Sequence, residues 1–159
     1  MRGSRLGIGT AVAAGALAAT TLAIAPAAQA VTPTLARAQY DCGFWGGGTG
    51  ELTATQNGTS ATITVRSAVR TPVAVGADTI NARLVLSKAG GGTRVFTGQR
   101  NPAIPAQSAV TIGPLTGTVA SGDRLNSYFG GPALTMTIFG VTVTCDALTS
   151  QTPGPFVFS

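Results

Sequence analysis

Apolar residues along most of this chain recur at every second position, the period of a strand with one buried face. The clearest stretch spans residues 51–66, where Leu52, Ala54, Ala61 and Ile63 alternate with Thr53, Thr55, Thr62 and Thr64. Asn57-Gly58 between the two halves suits a two-residue type I′ turn, whose central residues need positive φ. Pairing Gln56 with Thr59 sets Ala54 opposite Ala61 and Leu52 opposite Ile63. It also sets Thr53 opposite Thr62 and Glu51 opposite Thr64, giving one apolar and one threonine-rich face. Asn57-Gly58-Thr59 fits the N-glycosylation sequon as well, but the turn explains it more simply.

Further strands are predicted at residues 79–87, 93–97, 108–112, 115–119, 134–138 and 141–145. In the first, Ile80, Ala82, Leu84 and Leu86 share a face, and Asn81, Arg83 and Ser87 take the other. Lys88 opens a glycine-rich turn, residues 101–107 with Pro102 and Pro105 read as an irregular crossover, and Gly113-Pro114 is expected to break a strand. The alternation slips by one residue at Phe139-Gly140, which points to a bulge or a sheet-switching bend. The tail carries Phe156 and Phe158 at alternate positions and either closes a sheet edge or frays. No window has a helical period, and no internal repeat is present. Seven or eight short strands imply an all-β, two-sheet antiparallel sandwich over residues 40–159, with 31–39 as a short segment ahead of it.

The first 30 residues follow a different rule. Arg2 and Arg5 form a basic start, residues 6–25 carry no charge, Pro26 ends the run, and Ala28-Gln29-Ala30 provides small residues for a signal peptidase. Cleavage between Ala30 and Val31 is expected. Ala36-Arg37-Ala38, farther from the apolar run and charged, is the weaker alternative. The apolar run is nearly long enough to span a bilayer, but Ala, Gly and Thr dilute it. No lipoprotein signal precedes Cys42 and no twin arginine is present, so the mature chain is expected to be secreted, extracellular or cell-wall-associated, with no membrane attachment.

Export changes the reading of charge and cysteine. The 159 residues carry ten basic and five acidic side chains, a net +5. Removing residues 1–30 leaves 129 residues with eight basic side chains against the same five acids, so the net falls to +3. Those eight are scattered singly, which argues against nucleic acid as a partner. Cys42 and Cys145, the two cysteines, form an even pair in an oxidising compartment, where a structural disulfide is the simplest expectation. A redox couple or metal site lacks the close Cys spacing and any His.

The same absence of His removes the usual serine or cysteine triad. Five carboxylates remain, and only Asp41 and Asp146, each beside a cysteine, are expected to lie close. Solvent-facing strand ends explain them better than catalysis. No cofactor or metal is implied, and no enzymatic activity is expected. Two aromatic pairs beside glycines, Phe44-Trp45 and Tyr128-Phe129, are the candidate binding residues. They read either as a stacking platform on glycine loops or, more simply, as an aromatic cap over the disulfide end of the core.

Tyr40-Asp41-Cys42, Ile104-Pro105-Ala106, Gly113-Pro114-Leu115-Thr116-Gly117 and Val141-Thr142-Val143-Thr144-Cys145 together resemble a class of small secreted actinobacterial proteins. The resemblance implies an immunoglobulin-like sandwich and transfers no catalytic residue. Cellulose-binding modules and enediyne-carrying apoproteins fit less well, the first for want of tryptophans, the second for want of cysteines. The expected function is a non-catalytic exported structural or interaction protein whose partner is a cell-wall polymer or another exported protein. A ligand-binding module for a glycan or a small apolar molecule is the alternative.

Overall fold

The computed structural model describes residues 31–159, so the expected leader and Ala30 lie outside the described residues. Eleven strands follow in order: β1 Val31–Thr32, β2 Leu35–Asp41, β3 Gly47–Asn57, β4 Ser60–Arg70, β5 Asn81–Lys88, β6 Thr93–Gln99, β7 Ala109–Thr118, β8 Arg124–Ser127, β9 Leu134–Ile138, β10 Val141–Ala147 and β11 Phe156–Phe158. The chain is all-β, with one 3-10 turn at Gly43–Trp45 and no α-helix among the described residues. Among those residues no helix is long and apolar enough to cross a membrane.

All strand pairs are antiparallel, and the ladder closes on itself. From β5 it runs through β6, β7, β4, β3, β2, β10 and β9 and returns to β5, an eight-strand barrel. The remaining three strands branch from β5, whose one edge is shared: Asn81 to Leu84 pair with β9, and Leu86 to Lys88 pair with β8. Beyond β8 the ladder continues through β11 to β1. Two joints of the ring are thin. β6 meets β7 only at Thr97 opposite Thr116, and β10 meets β2 only at Asp146 opposite Asp41 and Ala147 opposite Tyr40.

The inward faces are the alternating apolar positions, and Leu52, Ile63, Leu84, Phe96, Ile112, Leu115, Leu134 and Met136 are fully or almost fully buried. Each such side chain contributes about 1.5–3 kcal/mol on burial. Cys42 and Cys145 form the expected disulfide in this core, across a separation of 103 residues. Closing so long a loop stabilises the fold by about 4–5 kcal/mol in the chain-entropy view.

The β3–β4 hairpin keeps its expected faces but not its expected register. Asn57 pairs with Ser60, Ala54 with Ile63 and Leu52 with Val65, two residues displaced from the pairing through Gln56 and Thr59. The turn residues are Gly58 and Thr59, and only Gly58 has positive φ, the pattern of a type II′ turn with glycine first. A displacement of two preserves side-chain parity, so the apolar face is unaffected.

Gly113-Pro114 does not end a strand. β7 runs through it, because an extra residue there opposes Thr64 as a bulge: Ile63 pairs with Leu115, whereas Val65 pairs with Ile112. The bulge absorbs the proline, which has no N–H to give to a ladder. The tail closes an edge, with Phe156 and Phe158 buried in β11. Residues 31–39 are part of the fold: β1 ends the branch through β8 and β11, with Val31 buried opposite Phe158, and most of β2 lies in the barrel with Ala36 and Ala38 pointing inward. Tyr40 lies flat on the next strand, since a Cβ at Gly50 would stand 2.8 Å from its ring.

Candidate functional site

At the Arg70 end of β4 the core pattern outlasts the core. β4 carries a bulge between Arg66 and Arg70, where three residues of β4, 67–69, stand against Val110 alone in β7. Inside it the Val69 N–H donates to Ser67 Oγ (3.1 Å). The strand then leads into Thr71, Pro72 and Val73. Opposite stands the β9–β10 hairpin. Ile138 pairs with Val141 and Met136 with Val143, so Phe139-Gly140 is a two-residue turn. That turn accounts for the slip in alternation: a two-residue loop carries the inward face from even to odd numbers. No bulge or sheet switch is needed.

Phe139 is the unusual residue of this turn. Its φ is +52°, a left-handed conformation that Asn or Gly adopts readily and Phe rarely does. Its side chain gains little from the fold in return, being 66% exposed. Strained positions of this kind cluster at functional sites.

The third wall comes from the segment after Cys42. There the Gly43 N–H donates to Asp41 Oδ1 (3.0 Å), and the Cys42 N–H and Gly46 carbonyl close the loop at 2.8 Å. The resulting 3-10 turn presents Phe44 and Trp45 edge to face, ring centres 5.7 Å apart. Trp45 is 38% exposed and Phe44 96% exposed, so the cap reading is corrected for Phe44, which covers nothing.

Together these segments form a groove of about 100 Å³, floored by Val69 and Val143 and walled by Trp45, Val73, Phe139 and Val141. Arg70 is the one charged residue on its lining; its Nη1 donates to the Gln107 carbonyl (2.8 Å), and it forms no ion pair among the described residues. A cavity of this size has room for about one ring or a short branched alkyl group.

The other candidates lie elsewhere. Tyr128 is half-buried, donating its hydroxyl to the Gly130 carbonyl (3.0 Å), and Phe129 is exposed beside it. Neither lines the groove. Asp41 and Asp146 do face each other across β2 and β10, as their cysteine neighbours imply, but both are exposed on an open strand surface. Among the described residues no three His, Cys, Asp or Glu side chains cluster as metal ligands.

The most organised charge in the molecule is structural and was not expected. Asp123 is 3% exposed and receives Arg94 Nε at 2.7 Å, Lys88 Nζ at 3.2 Å and the Ala120 N–H at 3.0 Å. Burial pushes its carboxyl pKa up, but these donors outweigh it and lower the value from 3.8 to about 2. This clamp ties the β5–β6 turn to the start of β8. The only sequence signal for it was Lys88 beside its glycine-rich turn.

The groove itself was missed because Trp45, residues 69–73 and residues 138–143 are far apart in sequence. An aromatic in a two-residue turn was the one local sign of it. In comparisons with known proteins, the chain matches no family model, no curated protein and no solved structure.

Proposed function

We propose that this is a non-catalytic exported protein, extracellular or cell-wall-associated, that works by docking an apolar surface through the Trp45–Phe139 groove. One observation carries the reading: four large apolar side chains on the lining of one groove, Trp45, Val73, Phe139 and Val141, are exposed, and the exposed Phe44 ring adjoins Trp45. Contiguous apolar exposure of that kind marks interaction sites in folded domains. The exposed Asp41 and Asp146 have no enclosed cleft between them in which proton transfer could be organised. The disulfide is compatible with an oxidising compartment.

The immunoglobulin-like sandwich and the kinship with small secreted actinobacterial proteins belong to the same proposal. The sandwich draws on the two thin joints, which divide the ring into β7-β4-β3-β2 and β6-β5-β9-β10, and the kinship rests on the sequence motifs alone. The alternative, a module for a small apolar ligand, draws on the room for one ring in the groove.

Trp45 is the only tryptophan, so its emission reports on the groove without a label. Mature protein titrated with purified wall polymers, exported proteins and small apolar ligands should show a blue shift with one of them. Val73→Lys should abolish that shift without lowering stability. An emission spectrum unmoved by all three classes would overturn the reading.

A further inference from the structure

We infer that the groove receives the C-terminal residue of an exported polypeptide, its apolar side chain in the cavity and its carboxylate on Arg70. The inference rests on the docking role just proposed and names the chemistry of the partner. Its starting point is the one cation on the lining. Arg70 is the last residue of β4, is exposed, and shares the groove with no acidic side chain. None of the ion pairs among the described residues includes it. Its Nη1 donates to the Gln107 carbonyl at 2.8 Å, and its other N–H groups have no partner among those residues. The free Nε–Nη2 edge is the fork that grips a carboxylate through two parallel hydrogen bonds.

That arginine is anchored. The Gln107 N–H donates to the Thr71 carbonyl at 2.7 Å, its Nε2 donates to the Pro72 carbonyl at 3.4 Å, and the Thr71 N–H donates to the Ser108 carbonyl at 3.2 Å. The carbonyl that accepts from Arg70 is thereby fixed against the segment that carries Arg70, so the guanidinium has less freedom to lose on pairing. Gln107 has a φ of +62°, a strained conformation for a glutamine. Only Asp78, Gln107 and Phe139 take positive φ among the described residues other than glycine. Two of these three serve the same groove, Gln107 by anchoring its cation and Phe139 by walling it.

A single cation beside apolar walls selects an apolar group that carries one negative charge. Room for about one ring or a short branched alkyl group matches one phenylalanine, leucine or valine side chain. A free acid of that size fills the cavity but leaves the Phe44 ring, 96% exposed beside Trp45, uncovered. A polypeptide runs back from its last residue across that ring, and its end carries apolar side chain and carboxylate on one residue. The protein's own end is engaged elsewhere: Phe156 and Phe158 are buried, and the Ser159 carbonyl accepts from Gln56 Nε2 at 2.7 Å. The occupant is therefore the end of a different exported chain.

Trp45 emission of the mature, disulfide-bonded protein tests this by titration with a short uncharged peptide ending in phenylalanine, as the free acid and as the C-terminal amide. The acid should bind roughly tenfold or more tightly than the amide. Arg70→Gln should remove that difference while leaving the amide's affinity unchanged, so the amide controls for any damage to the fold. Arg70→Lys keeps the charge but not the fork and should restore only part of the preference. Equal binding of acid and amide, or a preference that survives Arg70→Gln, would overturn the inference and leave the groove's docking role standing. Phenylacetate binding as tightly as the peptide acid would overturn the chain end in favour of a free acid. Emission unmoved by both peptides but shifted by a wall polymer would likewise overturn the inference alone, whereas emission unmoved by every class would overturn the docking role as well.

Discussion

The two ends of β4 treat the same kinds of side chain in opposite ways. At the Ser60 end the chain's own tail covers the barrel: Phe156 and Phe158 are buried, β11 lies between β1 and β8, and Gln56 Nε2 donates to the Ser159 carbonyl at 2.7 Å. Nearby, the Asp123 clamp fixes the turn that leads into β8, and Phe158 donates its N–H to the Asp123 carbonyl at 2.9 Å. At the Arg70 end, the β9–β10 hairpin continues its inward-facing pattern past the last residues that have an opposing layer. Ile138 and Val141 extend the face of Met136 and Val143 into solvent. The difference teaches a rule of reading: strands whose apolar pattern is longer than the core beneath them mark a surface meant to be covered.

The strongest way to test that contrast is to truncate one aromatic at each end. Phe156→Ala should cost about 3–5 kcal/mol, the usual loss for a buried phenylalanine. Phe44→Ala should change stability by no more than about 0.5 kcal/mol, as for an exposed side chain. Urea denaturation of the two variants reads both numbers, and similar losses would mean that the ends do not differ.

Acid provides a smaller effect, confined to the covered end. The Asp123 carboxyl is held at about 2 in the fold against an ordinary 3.8. A depressed pKa gives stability that is fully present above the ordinary value and lost as pH falls through the folded one. Stability should therefore decline between about pH 4 and pH 2, by about 1–2 kcal/mol once screening of the part-exposed Lys88 and Arg94 is allowed for. Asp123→Asn should be less stable at neutral pH and lack that component of the decline. An acid limb identical in wild type and variant would remove the clamp from the account. Alkali acts on Tyr40, whose burial pushes its hydroxyl up to about 12 from 10.0. The folded state then holds that proton more tightly, so stability should fall as pH rises from about 10 to 12.

What could be read from the sequence follows from how local each feature is. The faces of β3, β4, β5, β9 and β10 were legible because strand alternation is a property of neighbours. The β3–β4 register was not, since Asn57-Gly58 and Gly58-Thr59 are both workable turns and differ by two residues of pairing. β2 was overlooked because its inward residues include only Ala36 and Ala38 before Tyr40, and small side chains make a faint pattern. That same triplet, Ala36-Arg37-Ala38, had competed as a cleavage site. Barrel closure depends on two joints of one and two residue pairs, which no local pattern encodes. Of the four candidate binding aromatics, Trp45 lines the groove and the exposed Phe44 ring stands edge to face with Trp45, whereas Tyr128 and Phe129 belong to another part of the surface.

Phe139 offers the most direct test, because at that residue the two ends' logics conflict. Its backbone is strained and its side chain exposed, so stability has no use for it, whereas the proposed docking does. Phe139→Asn places a residue suited to positive φ in the same turn. It should raise stability by about 1 kcal/mol, measured by urea denaturation. In the same preparation it should weaken docking roughly tenfold, read from Trp45 emission against wall polymers, exported proteins and small apolar ligands. Opposite signs in the two readouts are the result the account predicts. A variant that loses stability as a core aromatic would, or that docks as well as wild type, would contradict it.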